Sequence, residues 1–445
     1  MMQLAGKRVH VVGMGLSGVA AARVCLRMGA HVTGFDDRAR ADLSQAAQLL
    51  PIEVRAGLPA GELATADLIV VSPGVDQRQA LDDASERGVE VIGELELGAR
   101  LVEAPICAVG GTNGKSTTTE LVALMLTESG RKAFCGGNLG TPLTDSVGQA
   151  WDCLVVEVSS FQLERAPRFR PKVSLLLNIT EDHLDRHGSF AAYADCKGNA
   201  FVNQGADDVA IIPFGDAVVE RQARRGGGRV VYFGHGGDYV SRDGVIVESA
   251  SGAEFPLAGT VLGGKHNQRN AAAAIAAARA IGAPPEAILR ALREYRSLPH
   301  RLAYVASIEG VPFYDDSKAT NVGAAVAALD SLSEPKVVLI AGGKGKDGSY
   351  SPLADVLAER GRAVVLIGEA ARVMASALEG SVQVELAPSL ELAVERAWRL
   401  AQPGDAVLLA PACASFDMFR SYSDRGDRFV QAVQALGSRA KASKV

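Results

Sequence analysis

The sequence predicts an α/β protein of three units, in which two small doubly wound units flank a larger middle one. Short runs rich in Val, Ile and Leu alternate with amphipathic stretches along the chain, a pattern typical of parallel sheets covered by helices. Two early strands lead directly into glycine-rich turns. The length of 445 residues matches three domains of ~150 residues each.

The composition excludes several classes of protein. Lys and Arg number 46 against 51 Asp and Glu, a formal net charge of −5, without a long basic run; we therefore expect no nucleic-acid partner. No apolar run reaches the ~18 residues of a membrane span, so we expect no membrane contact. The first residues lack the layout of a signal peptide, and the six cysteines are scattered without a C-x-x-C pair. These features favour a cytoplasmic protein with reduced thiols.

The first unit, residues 1–102, alternates four strands with three helices. We expect strands at 8–12, 31–35, 68–71 and 89–92, and helices at 17–28, 39–49 and 77–87. Strands and helices in this order form βαβ units and hence a Rossmann-like sheet. The unit ends where the chain passes through V-E-A-P.

The other two boundaries follow from a new strand and a proline-marked joint. The middle unit, residues 103–298, opens with ICAVG and ends near SLPHRL; the last unit, residues 299–445, again alternates and predicts a second Rossmann-like domain. We expect middle strands near 105–110, 153–158 and 173–178, a glycine-rich β patch at 226–264, and helices at 267–282 and 284–295. We expect late strands near 311–315, 336–341, 363–367 and 405–410, and helices near 321–330, 352–360, 369–377 and 389–400.

The first glycine-rich turn, Gly13-x-Gly15-x-x-Gly18, joins the strand RVHVVG to a helix. Asp36 follows about 20 residues later, as in the dinucleotide-binding pattern. The glycines allow close approach of the backbone, and the free N–H groups of the helix N-terminus attract a pyrophosphate. Asp36 would accept a hydrogen bond from a sugar hydroxyl or a base. NAD and a UDP-sugar both satisfy this pattern, since it requires only a nucleoside diphosphate.

The second glycine-rich turn, AVGGTNGKSTTTE at 108–120, joins another strand to another helix. Gly114, Lys115 and Ser116 have the chemistry of a phosphate loop: backbone N–H groups surround the phosphates, Lys115 neutralises charge and the Ser116 hydroxyl ligates Mg²⁺. The first glycine of the strict pattern falls on Val109. The context of strand, turn and helix nevertheless indicates phosphate binding.

Further polar side chains follow predicted strands, where ligands usually bind in such sheets. Glu157 ends the apolar strand CLVVE, and a carboxylate there is costly unless it binds a metal or forms a buried salt bridge. The segment DDSKATN at 315–321 forms either a ligand-binding edge or a capped helix start. The cluster AGGKGKDGS at 341–349 offers a lysine to an anion. One loop collects Asn178, Glu181, Asp182, His183 and Asp185.

Several motifs together resemble the Mur ligase family, over essentially the whole chain. They are GTNGKST, EVSSFQLE, NITEDHLDRHG, GKHNQRNAAAA, LPHRL, DDSKATN and PACASFDMF, in this order. The resemblance implies a Rossmann-like UDP-binding domain, a central P-loop ATPase domain and a Rossmann-like C-terminal domain that binds the amino acid. It implies a monomeric bacterial enzyme that uses ATP to add D-glutamate to UDP-N-acetylmuramoyl-L-alanine through an acyl phosphate.

Carried over residue by residue, the resemblance implies four groups of site residues. ATP is bound by Gly111, Thr112, Asn113, Gly114, Lys115, Ser116, Thr117, Asn270, Arg301, Asp316 and Lys318. The UDP substrate is bound by Gly15, Ser17, Asp36, Asp37, Gly74 and Asn138. Glutamate is bound by Thr320, Lys346, Ser415, Phe416 and Tyr422, with Lys344 as the alternative to Lys346. Catalysis rests on Lys115, Glu157, His183 and Lys197, and two Mg²⁺ ions are held by Ser116, Glu157, His183 and an N-carbamylated Lys197.

Three alternatives remain at this point. An NAD-dependent oxidoreductase explains only the first glycine turn. Another ligase of the same family would add a different amino acid, and an L-glutamate-adding relative would share nearly all of these motifs. A non-enzymatic nucleotide switch would release phosphate without any amino acid.

Overall fold

The computed structural model describes residues 2–76, 78–138, 140–346 and 348–442. Three sheets, of five, nine and six strands, confirm the predicted α/β class with mostly parallel pairing. The chain divides into two compact units. The first comprises 1–179, 191–262 and 268–295, and the second comprises 180–190, 263–267 and 296–445.

The first sheet is the predicted Rossmann-like one. Its elements are β1 (Arg8–Val12), α1 (Leu16–Arg27), β2 (His31–Asp36), α2 (Gln45–Gln48), β3 (Glu53–Ala56), α3 (Ala60–Leu63), β4 (Leu68–Val71), α4 (Arg78–Glu86), β5 (Glu90–Gly93) and α5 (Glu94–Leu101). All pairs are parallel, in the order β3-β2-β1-β4-β5. The carboxyl ends of the strands therefore meet at one edge, beside the first glycine turn.

The predicted helix at 39–49 is wrong. The chain forms a short 3-10 turn at Arg40–Asp42 and then the single turn α2. The Ser44 hydroxyl accepts from Ala47 N and so starts a new helix inside the predicted one. The strand β3 that follows was not predicted, because only half of its side chains are even partly buried.

The second sheet is the largest. Its segment of chain contains β6 (Ile106–Gly110), α6 (Lys115–Glu128), β7 (Ala133–Gly137), β8 (Cys153–Glu157), α7 (Ser160–Leu163), β9 (Val173–Leu176), α8 (Leu184–His187), α9 (Phe190–Val202), β10 (Val209–Pro213), α10 (Ala217–Ala223), β11 (Arg229–Phe233), β12 (Tyr239–Arg242), β13 (Val245–Glu248), β14 (Glu254–Pro256), α11 (Lys265–Ala280) and α12 (Pro285–Glu294). The strand order is β14-β13-β12-β11-β10-β9-β6-β8-β7, parallel from β12 to β7 and antiparallel from β12 to β14. The antiparallel edge is the predicted glycine-rich β patch.

An alanine-rich helix lies inside the core of the first unit. Residues 270–278 of α11 are all buried. Small side chains allow a helix to approach its neighbours closely on every side. This burial fixes the position of Asn270, at the start of the buried stretch.

The third sheet belongs to the second unit. Its elements are β15 (Ala303–Ile308), β16 (Val311–Asp315), α13 (Val322–Ser331), β17 (Val337–Gly342), α14 (Ser351–Arg360), β18 (Gly361–Ile367), α15 (Ala371–Ala377), β19 (Gln383–Leu386), α16 (Leu390–Leu400), β20 (Ala406–Leu409) and α17 (Tyr422–Ala442). The order is β15-β16-β20-β17-β18-β19, with only the β15–β16 pair antiparallel. The sequence did not predict β15, β19 or the long helix α17.

All six cysteines are free thiols; four are buried, Cys196 is half-buried and Cys135 is exposed. In the part of the chain that the structure describes, no helix is long and apolar enough to cross a bilayer.

A buried carboxylate joins the first two sheets within the first unit. Glu94 begins α5, is 1% exposed and accepts hydrogen bonds from Thr144 N (2.7 Å) and Oγ1 (2.8 Å). Burial raises the pKa of Glu94 to about 7, although the bonds from Thr144 oppose the shift. Burial thus favours the protonated form of Glu94 in the folded protein.

We expect this carboxylate to make the first unit less stable as the pH rises. The folded pKa is raised above the unfolded value of ~4.3. The free energy of unfolding is therefore highest below about pH 4, and the part of it that depends on Glu94 is lost by about pH 7. The variant Glu94→Gln cannot titrate at this position and removes this pH dependence. Between pH 5 and 8 the free energy of unfolding of the wild type should therefore fall by roughly 3 kcal/mol relative to that of the variant, as measured by urea unfolding followed by Trp151 fluorescence. The exposed Glu103 provides the control variant Glu103→Gln; equal pH slopes for wild type and Glu94→Gln would contradict the expectation.

Candidate functional site

The phosphate loop connects β6 to α6. Gly114 caps α6 in the left-handed region, with φ +86°. A Cβ on Gly114 would lie 2.4 Å from Asn270 Oδ1, so only glycine fits there. Asn270 is 3% exposed, and its Nδ2 has no hydrogen-bond partner among the described residues. Two of the residues expected to bind ATP thus meet at the helix N-terminus.

A neighbouring strand braces this loop. Asn113 N donates to Asn178 Oδ1 (2.9 Å), and Asn178 Nδ2 donates back to Asn113 O (3.0 Å). Thr112 N donates to Asn178 O (3.0 Å), and the Thr112 and Tyr193 hydroxyls share a bond of 3.1 Å. Sequence reasoning noted Asn178 without this role and missed Tyr193. Asn178 follows β9, and β9 pairs in parallel with β6, so the end of β9 lies beside the phosphate loop. The position of Asn178 after a strand was the only feature of the sequence that indicated this role.

Two lysines converge on one carbonyl oxygen of the loop. Lys115 Nζ donates to Gly111 O (2.9 Å) and Thr112 O (2.8 Å). Lys197, on α9 and 3% exposed, donates to the same Gly111 O at 2.8 Å. Its Nζ also lies 4.6 Å from the centre of the Tyr193 ring. Two ammonium groups at one acceptor concentrate positive charge beside the loop, which favours an anionic ligand such as a phosphate.

Glu157 carries a buried oxygen that lacks a partner. Glu157 is 3% exposed and lies opposite Val109 in the register of β6 and β8. Its Oε1 accepts from Asn138 Nδ2 at 2.7 Å, while Oε2 has no hydrogen-bond partner within the described ranges. A buried carboxylate oxygen of this kind is a suitable ligand for a hard cation. Ser116, expected at the same ion, is 3% exposed on the first turn of α6.

The first glycine turn holds Asp36 in an unexpected way. Asp36 Oδ2 accepts from Met14 N (2.7 Å), and the Arg38 guanidinium binds both carboxylate oxygens at 2.8 and 2.9 Å. These bonds from Arg38, helped by Met14 and opposed by burial, lower the pKa of Asp36 to about 2. The carboxylate is thus fixed and charged, and Arg38, which sequence reasoning missed, orients it.

A cavity of about 140 Å³ adjoins this turn. Three of the residues expected to bind the UDP substrate, Asp36, Asp37 and Gly74, line it. Gly15 and Ser17 lie at the start of α1. Asn138 is not a lining residue; its N–H and amide both donate to Glu157.

In the second unit, two of the residues expected to bind the nucleotide, Asp316 and Lys318, lie in the loop between β16 and α13. The third, Arg301, precedes β15. Arg301 and Asp316 interact electrostatically; burial raises the pKa of Asp316 to about 7, against the charge of Arg301. Arg301 Nε is buried and unpaired in the described part of the chain. Lys318 Nζ lies 4.1 Å from the centre of the Tyr422 ring. A residue expected to bind ATP therefore contacts a residue expected to bind glutamate. Burial alone would raise the pKa of Tyr422, but Lys318 lowers it.

Lys346 forms an ion pair in the second unit. Its Nζ lies 2.9 Å from Asp182 Oδ1, and Asn321 Nδ2 donates to Asp182 Oδ2 at 3.0 Å. Burial alone would raise the pKa of Asp182, but Lys346 and His183 lower it. The alternative Lys344 is exposed, and its backbone pairs with Ala414. Lys346 lines a cavity of the second unit, and Lys344 is not among the lining residues of that cavity.

The remaining expected residues of the second unit lie in loops with unusual backbone. His183 caps α8 at φ +54°, which is rare for a residue other than glycine, and Ala412 has φ +57°. Ser415 is 2% exposed, whereas Phe416 is 72% exposed. Thr320 N donates to Lys318 O at 2.8 Å. Backbone strain of this kind concentrates at functional sites.

A fully buried arginine, missed by sequence reasoning, connects two of these loops. Arg425 of α17 donates from Nε to Ser317 Oγ (3.0 Å) and from NH2 to Ser317 O (2.9 Å). Its NH1 donates to Cys413 O at 3.2 Å. Burial lowers the pKa of Arg425 to about 10, so the guanidinium stays charged at neutral pH. Nothing local in the sequence pairs a residue of the last helix with DDSKATN.

Family models match three successive stretches of the chain. The Mur ligase MurD-like N-terminal domain matches residues 7–93, the Mur ligase middle domain residues 109–278, and the Mur ligase glutamate ligase domain residues 300–413. The chain belongs to the Mur ligase family. The predicted family is thereby confirmed, and Mur ligases depend on ATP. An NAD-dependent oxidoreductase is excluded as an alternative.

Two relatives that match this Mur ligase over nearly its full length carry the same name. A UDP-N-acetylmuramoylalanine–D-glutamate ligase of Geobacter metallireducens is 44% identical, over 98% of this chain and 99% of the relative. One of Desulfosudis oleivorans is 45% identical, over 97% of this chain and 96% of the relative.

Solved structures of other Mur ligases share the fold. The UDP-N-acetylmuramate–alanine ligase of Thermotoga maritima has a TM-score of 0.61 at 20% identity, covering 96% of this chain and 99% of its own. A MurF ligase of Thermotoga maritima in complex with ADP has a TM-score of 0.59 at 18% identity, covering 97% and 98%. These neighbours confirm the three-domain α/β architecture.

Proposed function

We propose that the chain uses ATP to join D-glutamate to UDP-N-acetylmuramoyl-L-alanine, releasing ADP and phosphate in peptidoglycan precursor synthesis. One observation carries the proposal. A phosphate loop directs Lys115 and Lys197 to one carbonyl oxygen, in a chain whose full-length relatives are D-glutamate-adding ligases. Phosphate binding and amide formation are thus combined in one polypeptide.

The reaction needs activation because a carboxylate does not acylate an amine in water. The alanyl carboxylate of the UDP substrate attacks the γ-phosphorus of ATP, a new P–O bond forms, and the bond to ADP breaks. The glutamate amine then attacks the acyl carbon and loses a proton, and the C–O bond to phosphate breaks. Lys115 and the N–H groups of residues 111–117 hold and neutralise the phosphates. Exclusion of water protects the acyl phosphate.

Magnesium fits the residues proposed to hold it. Ser116 and Glu157 would bind one ion, and the unpartnered Oε2 of Glu157 supports this role. Lys197 and His183 are the other residues proposed as magnesium ligands. When bound, Mg²⁺ neutralises charge on the transferring phosphoryl group. Asn138 orients Glu157 through its hydrogen bond of 2.7 Å.

Carbamylation of Lys197 is supported by its surroundings. As an ammonium, Lys197 shares Gly111 O with Lys115, which brings two like charges together. An N-carbamate would replace one of these cations with an anion that can ligate a metal. The buried position of Lys197 would protect such a group from water.

The cavity beside the first glycine turn suits a nucleoside. Asp37 and Asp76 add carboxylate acceptors to its lining, which match the N–H of uracil and the hydroxyls of ribose. The Asp36 carboxylate also belongs to the lining, where Arg38 holds it in place. The diphosphate would lie against Gly15 and Ser17 at the N-terminus of α1, because three carboxylates would repel it from the cavity.

The second unit would supply the remaining contacts. Arg301, Asp316 and Lys318 are the residues of this unit proposed for the nucleotide. The glutamate carboxylates would be bound by a separate set, with Lys346 as its cation. That set is Thr320, Lys346, Ser415, Phe416 and Tyr422.

The organisation of the chain forms part of the proposal. We place domain boundaries after residues 102 and 298, in the gaps between the matched ranges 7–93, 109–278 and 300–413. A single chain carries every residue proposed for the site, which supports a monomer. Use of ATP and a UDP-linked substrate supports a place in the bacterial cytoplasm.

Phosphate release tests the function directly. We expect release from ATP only when UDP-N-acetylmuramoyl-L-alanine and D-glutamate are both present, because the amine is needed to turn over the acyl phosphate. A coupled phosphate assay with each substrate omitted in turn measures this, and a panel of D- and L-amino acids tests the stereochemistry. Equal release without an amino acid would instead indicate a nucleotide switch, and a preference for L-glutamate would identify a different ligase.

A further inference from the structure

A buried histidine lies next to the cavity that adjoins the first glycine turn. His10 is the middle residue of β1 and is 7% exposed. In the register of β1 and β2, His10 lies opposite Thr33, and Val12 lies opposite Phe35. His10, Val12 and Phe35 therefore share one face of the sheet. Val12 and Phe35 line the cavity of about 140 Å³ and His10 does not, so His10 is one layer away from the site.

The ring of His10 packs on the ring of Phe35. Their centroids are 5.1 Å apart, with 57° between the ring planes, a spacing at which aromatic side chains attract each other. Phe35 is fully buried, and its carbonyl oxygen accepts a hydrogen bond from Gly13 N at 2.7 Å. Phe35 thus belongs both to the cavity lining and to the support of the glycine turn. A movement of the His10 ring would reach the site through Phe35.

The charged groups around His10 are already paired with one another. Four of them act on it electrostatically: Arg8 of β1, Arg55 of β3, Glu62 of α3 and Asp67, which precedes β4. Arg55 NH1 donates to Glu62 Oε2 at 2.6 Å, and Arg8 NH2 donates to Asp67 Oδ1 at 3.3 Å. Each carboxylate therefore has an arginine as its partner. His10 Nδ1 is buried and has no hydrogen-bond partner within the described ranges.

The neutral ring is the form of His10 that fits this position. Burial and then the charge of Arg55 lower the pKa of His10, while Glu62 and Asp67 oppose the shift. Both ring nitrogens of a protonated histidine are donors, so protonation would place a charge and an unpaired N–H in the buried position. A displaced ring avoids that cost and loses the contact with Phe35. Protonation of His10 and loss of this contact are thus coupled.

We propose that His10 is a positioning residue for the UDP substrate: its neutral ring holds Phe35 in the lining of the cavity, and its protonation in acid weakens substrate binding. The identity of the substrate rests on the function proposed above. His10 acts only through Phe35 and takes no part in phosphoryl transfer. It therefore changes the affinity for UDP-N-acetylmuramoyl-L-alanine and leaves kcat unchanged.

Calorimetric titration of the full chain with UDP-N-acetylmuramoyl-L-alanine, without ATP or glutamate, measures the affinity. The diphosphate of this substrate is a diester and does not titrate between about pH 8 and pH 5.5. Over this range the Kd of the wild type should rise between about two- and tenfold, the range that one aromatic contact is worth. A wild-type Kd that is the same at both ends of the range overturns the proposal.

Two uncharged replacements separate the effect of the ring from that of its proton. His10→Phe keeps an aromatic contact and cannot titrate, so its Kd should stay within about twofold of the wild type at pH 8 and should not rise in acid. His10→Leu loses the ring, so its Kd should already be raised between about two- and tenfold at pH 8 and no further in acid. His31→Leu, at an exposed position of β2, is the control and should keep the wild-type response. An acid response that persists in either His10 variant contradicts the proposal, and an unfolding curve shows that each variant is folded.

The wild type provides a second measurement that does not depend on a folded variant. Because linkage is reciprocal, bound UDP substrate should lower the pKa of His10 further, as followed by the NMR signal of the ring Hε1 proton. A pKa that is the same with and without substrate would show that His10 does not act on the site. A wild type that binds no UDP substrate at any pH overturns the proposed function together with this inference, whereas binding that does not depend on His10 overturns this inference alone.

Discussion

Replacing Lys115 by methionine should lower kcat for ligation by between about 10² and 10³-fold, the usual cost of removing one preorganised group that stabilises transition-state charge. Methionine keeps most of the length of the side chain and removes its charge. The loop should keep its conformation, because its bonds to Asn178 do not involve Lys115. Steady-state phosphate release and a thermal unfolding curve measure the two effects separately.

The control for Lys115 lies in the same unit. Lys132 is exposed, and its Nζ lies 4.7 Å from the centre of the Trp151 ring. Lys132→Met therefore loses an equal charge without touching the loop and should leave kcat within about twofold. A Lys115→Met enzyme as active as this control would show that the phosphate loop is not the site of transfer.

Removal of Lys197 should abolish most activity and leave a cavity that a small carboxylate can refill. Lys197→Ala loses both the buried amine and the proposed carbamate, so we expect a loss of about 10²-fold or more. Added acetate or formate should restore part of it, because either can take the place of the carbamate as an anionic metal ligand. The assay is ligation rate against carboxylate concentration.

A cationic role for Lys197 predicts the opposite pattern. Methylammonium would then rescue Lys197→Ala while acetate would not, and Lys197→Arg would stay active because it can still donate to Gly111 O. If Lys197 works as a carbamate, Lys197→Arg is inactive, since a guanidinium does not take up CO₂ under these conditions. The two rescue agents therefore distinguish the two chemistries.

The sequence could predict the arrangement of the phosphate loop because this loop is a short continuous segment between a strand and a helix. Gly114, Lys115 and Ser116 are adjacent in sequence, and strand, turn and helix dictate their arrangement. Glu157 could be predicted as a special residue because a carboxylate at the end of a buried strand is costly. Both predictions depend only on local sequence, namely one strand and the turn that follows it.

The parts that could not be predicted depend on contacts between distant segments. Asn178 braces the loop only because β9 pairs with β6, and periodicity does not reveal strand order. The hold of Arg38 on the Asp36 carboxylate was not predicted either, because the side-chain conformation of an arginine two residues away is not set by the strand pattern. The helix at 39–49 failed because one hydroxyl, that of Ser44, outweighed the apolar spacing.

The buried guanidinium of Arg425 couples two loops, the one that contains Ser317 and the one that contains Cys413. One side of it holds Ser317, next to Asp316 and Lys318, and the other side holds the backbone at Cys413, two residues before Ser415. A ligand that orders one loop also orders the other in part. The conformational entropy that is lost when a second ligand binds to the other loop is then smaller. Nucleotide and amino acid would then favour each other's binding by the same factor, since thermodynamic linkage is reciprocal.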